Sequence, residues 1–340
     1  MNPASTTHDV VVIGAGPVGL ACAIEAGREG LLARTIEKGA LVNSIVGYPA
    51  NMEFFSTPEL IEIGRYPFPV QGYKPTREEA IEYYRGVAER EKLDLRLYER
   101  VVQVLGSRGN FTVVTSKGEH RTRAVVISVG FFDLPNLMNV PGESLPKVTH
   151  YYREPYQYVR QKVAVVGARN SAAKAALDCY RHGAEVTLVV RSSGLSEKIK
   201  YWIRPDLENR IKEGSIRAFF DASVEEIRER SLVLRTPEGR REIENDWVIA
   251  MTGYHPDFSF LETLEIGLAE DASRTPLYDE TTFETTRPGI YIAGTVCGGY
   301  QTSRWFIENG RFHARQIARH IAGKRPEPVR FEAVHWKTEE

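Results

Sequence analysis

A run of four β-branched residues, Val10-Val11-Val12-Ile13, passes directly into Gly14-Ala15-Gly16-Pro17-Val18-Gly19 and then into the alanine-rich stretch 20–26. No other feature of the chain restricts the fold so tightly. The run predicts a buried strand, the glycines a tight turn, and the following stretch a helix packed back on the strand. Each glycine has its own reason to lack a side chain. Gly14 makes the turn, Gly16 lets a pyrophosphate approach the backbone, and Gly19 lets helix and strand pack closely. The pyrophosphate would then sit on the free N–H groups of the helix that carries residues 20–26, with Pro17 and Val18 among the candidate cofactor contacts. A second apolar run over 31–36 ends in Glu37-Lys38, about 20 residues on, where a carboxylate is placed to bond ribose hydroxyls. This turn is expected to bind a dinucleotide.

The pattern then recurs. Lys162-Val163-Ala164-Val165-Val166-Gly167-Ala168-Arg169-Asn170-Ser171-Ala172 is again a strand, a turn and a helix start, and a second β-run over 185–190 ends in Arg191. Two differences matter. Arg169 takes the place of the second glycine, and basic Arg191 replaces the acid at the end of the second strand. An acid there favours a free 2′-hydroxyl, whereas an arginine accommodates a 2′-phosphate. The first unit is thus matched to FAD and the second to NADPH, unless Arg191 is simply a solvated surface residue. Strands are expected over 94–98, 100–105, 111–116 and 124–129, then 216–220, 223–229, 232–236, 247–251 and 289–295. Thr76 through Glu79 should cap a helix, and a long helix should run from about Thr302 to Ala322. The expected fold is α/β, with two nested Rossmann-like dinucleotide-binding domains. The FAD unit is placed at 1–135 and 252–325, the NADPH unit at 155–248 and a tail at 326–340.

At 340 residues the chain suits two cores better than one. A formal net charge of −1 gives no case for a nucleic-acid partner or an anionic membrane surface. No stretch approaches the roughly 20 apolar residues of a membrane span, and no export signal is visible, so a cytoplasmic location is expected. The three cysteines, Cys22, Cys179 and Cys297, form no C-x-x-C pair and no metal-ligand spacing. No metal is expected.

The order of segments resembles the low-molecular-weight thioredoxin-reductase superfamily over nearly the whole chain. Residues 14–19 match its FAD fingerprint, Gly130 and Gly253 close segments similar to its two linker strands, and 289–294 resembles its second FAD strand. The departures are informative. The stretch His150-Tyr151-Tyr152-Arg153-Glu154-Pro155-Tyr156-Gln157-Tyr158 stands where a thioredoxin reductase carries its redox C-x-x-C, and Thr295 stands where a flavin-binding aspartate is expected. A dithiol route to thioredoxin is excluded. Closer still is the bacillithiol disulfide reductase family, which uses FAD and NADPH without a C-x-x-C. The similar strings are Glu37-Lys38-Gly39, residues 51–57 beginning at Asn51, residues 251–257, and residues 306–313. The resemblance implies electron transfer from NADPH through flavin to a low-molecular-weight disulfide, in a homo-oligomer. It also implies cofactor contacts by residues 14, 16–19, 37, 38, 51, 130, 167, 169–171, 191, 253, 294 and 295. One position departs again, since members of that family carry a cysteine where this chain has Val18.

The aromatics of 48–57 either wall an isoalloxazine ring or cover the core as an ordinary loop. Cys22 and Cys179 fall inside helical patterns and read as small packed hydrophobes. Cys297 sits in Thr295-Val296-Cys297-Gly298-Gly299, ahead of the expected Thr302 helix. In the superfamily that helix start faces the flavin, so Cys297 is expected either to be a thiolate nucleophile activated by the helix dipole or a small loop residue beside the cofactor. Two other functions fit the same units. One is an NADPH–ferredoxin or flavodoxin reductase, whose partner would be a redox protein. The other is a non-enzymatic flavin-bound redox sensor. A flavin monooxygenase lacks its F-x-G-x-x-x-H-x-x-x-W pattern here.

Overall fold

The computed structural model describes residues 6–326. The chain divides into two compact units. One runs through Val46, resumes over Met52–Leu134 and again from Tyr254; the other comprises Gly47–Asn51 and Pro135–Gly253. The expected tail lies, from residue 327 on, outside the described residues.

In the first unit, β1 (His8–Ile13) leads to α1 (Pro17–Arg28) and β2 (Ala33–Ile36). Helix α2 (Arg77–Arg90) follows, then β3 (Leu95–Arg96), β4 (Val101–Ser107), β5 (Asn110–Thr115) and β6 (Glu119–Ile127). Strands β3, β2, β1 and β6 are parallel neighbours in that order, and β5 and β4 continue the sheet antiparallel. Thr76 caps α2 as the sequence predicts. Its hydroxyl accepts from the Glu79 N–H, and the Glu79 carboxylate accepts from the Thr76 N–H at 2.8 Å.

Strand β6 changes partner halfway along. Residues 119–122 pair with β5, whereas 125–127 pair in parallel with the returning strand Ile290–Ile292. Its burial changes with it. The first half alternates between exposed and buried positions, and the second half, from Ala124 to Ile127, is buried throughout. Alternation suits a sheet wetted on one face, and continuous burial suits a parallel sheet covered on both.

The second unit repeats the plan with β7 (Lys162–Val166), α3 (Asn170–Arg181), β8 (Glu185–Val189) and β9 (Arg217–Phe219). A three-stranded antiparallel sheet comes next, β10 (Ser223–Ile227), β11 (Ser231–Thr236) and β12 (Gly239–Glu244), and β13 (Trp247–Ala250) returns to the parallel sheet. The parallel order is β9, β8, β7, β13, with the short strand Val148–Thr149 outside β13. Strand β12 is absent from the sequence reading because Gly239-Arg240-Arg241-Glu242-Ile243-Glu244 has almost no apolar residue and stays largely exposed. Its pairing to β11, not its own pattern, makes it a strand.

The chain returns to the first unit through β14 (Ile290–Ile292) and ends its described part in α4 (His313–Ile321), which packs on α1. The long helix expected from Thr302 is not there. A short turn of helix, Ile307–Gly310, and α4 are separate, and residues 299–306 are not helical. Asn309 explains part of the interruption. Its side chain accepts from the Phe306 N–H at 2.8 Å and donates to the Arg304 carbonyl at 3.1 Å, offering the backbone partners that helix would otherwise supply. Phe312 is exposed, whereas Trp305 and Ile317 are buried.

β4 ends the sheet and exposes Val102 and Leu105, the kind of apolar edge that invites pairing with another chain. Arg287 covers it. Its guanidinium donates to the carbonyls of Val104 at 3.1 Å, Gly106 at 2.9 Å and Leu264 at 3.1 Å, and lies 5.7 Å from the centre of the Phe111 ring. Arg287→Ala should lower the unfolding free energy by roughly 1.5–3 kcal/mol, the scale of hydrogen bonds from a charged donor, and raise light scattering on standing. Arg287→Lys should not restore it, since an ammonium cannot spread donors over three carbonyls in a plane. Equal denaturation midpoints for all three proteins would contradict this role.

Candidate dinucleotide sites

The turn after β1 is held by sterics at two of its three glycines. Gly14 has φ +107°, and a Cβ on it would lie 2.6 Å from the Ser128 carbonyl oxygen. A Cβ on Gly19 would lie 1.9 Å from the carbonyl oxygen of Gly14. Around Gly16 there is open space within 4 Å. The first and third glycines are therefore forced by packing, and the second leaves room for a ligand. The Ser128 hydroxyl, at the end of β6, lies 3.1 Å from the Ile13 carbonyl and 3.0 Å from that of Gly14, to which it donates. The sequence signal for Ser128 was a single small polar residue ending an apolar strand. Helix α1 starts at Pro17 with no side-chain cap, so its first N–H groups remain available to an anion.

Glu37 is buried and already organised. One carboxylate oxygen accepts from the Ala15 N–H at 2.9 Å, the other from the Gly39 N–H at 2.8 Å. An ionised carboxylate has about four acceptor sites, so these bonds orient Glu37 while leaving capacity for ribose hydroxyls. Lys38 forms an ion pair with Asp133 at 2.6 Å. Gly130 has φ +69°, and a Cβ there would lie 3.5 Å from the Thr295 hydroxyl. Asn51 is exposed and groups with the second unit, where the neighbouring Ala50 N–H donates to the Arg153 carbonyl.

Gly294 opens the turn after β14 at φ +80°, and a Cβ on it would lie 3.1 Å from Cβ of Val18. Val18 is thus a packing residue against the second FAD strand. The Gly294 N–H donates to Nδ1 of His313 at 3.1 Å. Since Nδ1 accepts, the ring proton resides on Nε2. Burial drives His313 down to about 3, and its neutral ring stacks on Phe283 with centroids 4.0 Å apart. The sequence reading gave His313 no role of its own.

Cys297 does not have the environment of an activated thiolate. It lies in the 3-10 turn Gly294–Gly298, fully buried, with no helix beginning near Thr302 to supply a positive end. Burial pushes its thiol well above the ordinary value, the reverse of an activated thiolate. Cys22 and Cys179 are buried as expected, Cys179 with a thiol pushed up to about 12 by the same cause.

In the second unit Gly167 has φ +145°, and a Cβ there would lie 2.6 Å from the Met251 carbonyl oxygen. Gly253 has φ +91°. Arg169 is exposed and caps α3 with ordinary extended backbone at φ −110°, so arginine is tolerated where the first turn has Gly16. Ser171 and Arg191 are exposed. The side chain of Asn170, expected as a cofactor ligand, is engaged within the second unit. Both ends of its amide are taken by the loop after β8, donating to the Lys198 carbonyl at 3.0 Å and accepting from the Lys200 N–H at 2.9 Å. The stretch 150–158 is an aromatic anchor. Tyr152 donates to Asp178 at 2.5 Å, and Tyr158, fully buried, lies 5.6 Å from Trp247 between ring centroids.

Two strand–turn–helix units, each with a turn that excludes a side chain and a helix start left open, define a flavoprotein oxidoreductase of the two-dinucleotide class, using FAD and NADPH. Residues 11–294 match the family described as pyridine nucleotide-disulphide oxidoreductase. Bacilliredoxin reductase Bdr of Bacillus subtilis (strain 168) is 43% identical over 316 residues, covering 92% of this chain and 97% of that protein. The bacillithiol disulfide reductase Bdr (YpdA) from Bacillus cereus superposes with a TM-score of 0.91 at 40% identity, over 94% of this chain and 99% of that one. The thioredoxin reductase of T. acidophilum shares the fold at 21% identity and a TM-score of 0.74. The chain belongs to the Bdr branch of the pyridine nucleotide-disulphide oxidoreductase family. Among its described residues no helix is long and apolar enough to cross a membrane.

Acid should unseat His313. Its pKa is lowered from 6.5 to about 3 in the folded protein, so its contribution is complete above the unfolded value and is lost as pH falls between the two. His313→Phe should flatten that part of the stability–pH curve. At neutral pH it should cost roughly 1–3 kcal/mol, because the Gly294 N–H is left without an acceptor. Parallel curves for the two proteins from pH 7 to 4 would contradict the assignment.

Proposed function

We propose that this chain catalyses NADPH + H⁺ + RSSR → NADP⁺ + 2 RSH, with RSSR a low-molecular-weight disulfide of the bacillithiol type. What supports this most is the identity of 43% over 316 residues to a bacilliredoxin reductase, together with two turns built for dinucleotides. FAD, when bound, supplies the chemistry that accepts a hydride from NADPH and returns electrons to an acceptor. The protein's contribution is to hold and orient. The backbone around Gly16 and the start of α1 cradle the FAD pyrophosphate, and Glu37, fixed by Ala15 and Gly39, takes the ribose. Exposed Arg191 supplies positive charge for the 2′-phosphate of NADPH.

The thiol chemistry differs from a one-cysteine scheme. Val18 offers no sulfur, and Cys297 is buried with a raised pKa. We assign Cys297 to packing and the delivery of electrons to the disulfide to the flavin without a protein thiol between them. The cysteines, all three buried and unpaired, suit a reducing cytoplasm.

The reaction is tested by following NADPH oxidation by the yellow holoprotein with bacillithiol disulfide, a bacilliredoxin mixed disulfide, ferredoxin and oxygen as separate acceptors. Rapid turnover with the small disulfide is expected. Turnover only with ferredoxin would replace this reading. Arg191→Ala should narrow the preference for NADPH over NADH by roughly 1–3 kcal/mol, the scale of a charge-assisted contact, and equal use of both by the unaltered protein would refute the specificity. Cys297→Ser should retain disulfide turnover close to the parent while losing thermal stability, since it replaces a packed sulfur, 3.9 Å from Nδ1 of His313, with a smaller and more polar hydroxyl. Loss of disulfide reduction with NADPH-to-flavin transfer intact would return the thiol role to Cys297.

A further inference from the structure

The loop 191–203, between β8 and the helix Arg204–Lys212, has little regular structure of its own. It is nevertheless tied closely to the second dinucleotide turn. The Ser196 N–H donates to the Ala168 carbonyl at 3.2 Å. The Asn170 amide holds it at two further points, the Lys198 carbonyl and the Lys200 N–H, at 3.0 and 2.9 Å. Ile199 and Ile203 anchor the same segment by burial. The turn itself has little freedom to shift, since Gly167 lies against the Met251 carbonyl.

The charges on this assembly stand out from those around it. Arg181 pairs with Asp206, Arg204 with Glu208, and Arg210 with Asp206 and Glu213. Arg169, Arg191 and Lys198 are exposed, and none has an ion-pair partner among the described residues. They come from three places: the turn, the end of β8 and the middle of the loop. Glu197 is the one acid beside them on the loop. Three unneutralised cations on segments tied to one helix start are an arrangement for a phosphate ester.

We infer that Asn170 is a positioning residue that assembles this cationic wall, and that Lys198 belongs to the 2′-phosphate recognition of NADPH along with Arg191 and Arg169. Asn170 acts through the loop, to which both ends of its amide are bonded. The inference rests on the NADPH reading above. Without the two amide bonds, the loop keeps only the Ser196–Ala168 hydrogen bond to the turn and the burial of Ile199 and Ile203, and Lys198 is held less closely. Ordering it then becomes a cost of binding.

The test is titration of the FAD-loaded protein with adenosine 2′,5′-bisphosphate and, separately, with 5′-AMP, by calorimetry, beside steady-state kinetics with NADPH. For Asn170→Ala the expected result is affinity for the bisphosphate lower by about tenfold or more, the size of a lost positioned charge contact. Affinity for 5′-AMP should move much less, KM for NADPH should rise with little change in kcat, and the flavin spectrum should stay the same. Asn170→Asp keeps the acceptor for the Lys200 N–H but sets a carboxylate against the Lys198 carbonyl and beside the anion, and should lose at least as much. Lys198→Ala should weaken the bisphosphate selectively while leaving Asn170 and the fold intact. Unchanged bisphosphate affinity in Asn170→Ala or in Lys198→Ala would overturn the inference, as would an equal loss for both nucleotides. If the unaltered protein binds neither nucleotide and its flavin is not bleached by NADPH, the NADPH reading itself has failed.

Discussion

The whole of the first unit depends on one close approach. Helix α1 crosses the turn after β1 so tightly that a methyl group on Gly19 would sit 1.9 Å from the Gly14 carbonyl oxygen. No side chain can be accommodated at that crossing without moving backbone. Because helix and strand meet there, the open N–H groups of the helix point at one place, and Gly16 leaves that place empty. The neighbours keep the approach in register. Ser128 clasps the turn from β6, Glu37 bonds the Ala15 N–H from the end of β2, and Val18 fills the space against Gly294. Three sequence-distant segments thus meet at a single turn, and the binding of a large anionic cofactor follows from packing that is already complete.

The two turns and their flanking strands were legible because their signals are local. A β-branched run, a glycine spacing and an acid or an arginine at the end of the second strand each lie within one short window. Helix α2 was legible for the same reason, its capping box being four consecutive residues. What could not be read depended on partners far away in sequence. Strand β12 exists only through β11, and the break before α4 needs Asn309 to take up backbone groups at Arg304 and Phe306. The same holds for side chains. Asn170 reads as a ligand from its position in the fingerprint, yet residues 28 and 30 places on claim its amide. Cys297 reads as reactive only if a helix follows it and water or flavin reaches it. The chain provides neither the helix nor exposure.

The segment 150–158 shows how the same scaffold hosts different electron routes. In this chain it carries no sulfur and is pinned by aromatic packing, with Tyr152 bonded to Asp178 and Tyr158 sealed against Trp247. Aromatic side chains bury large apolar area and here fix the segment to the second unit. A stretch so anchored is structural, in keeping with the proposed delivery of electrons from the flavin itself. Val18, which has no sulfur, and the buried Cys297 support the same proposal from the first unit.

The change of partner along β6 also sets an order of assembly. Val125 pairs with Ile290, so the parallel end of β6 lacks its last neighbour until the chain has been made well past the second unit. On a ribosome, residues 135–253 can close their own sheet first, since β7, β8, β9 and β13 all lie within that span. The first unit waits with an unpaired strand end, its most apolar one, for a contact of very long sequence separation. Such contacts are slow to form and leave an exposed edge meanwhile. A nested arrangement that brings two cofactors into one polypeptide therefore carries a kinetic debt. Moving the termini so that β14 precedes β1 would remove that delay.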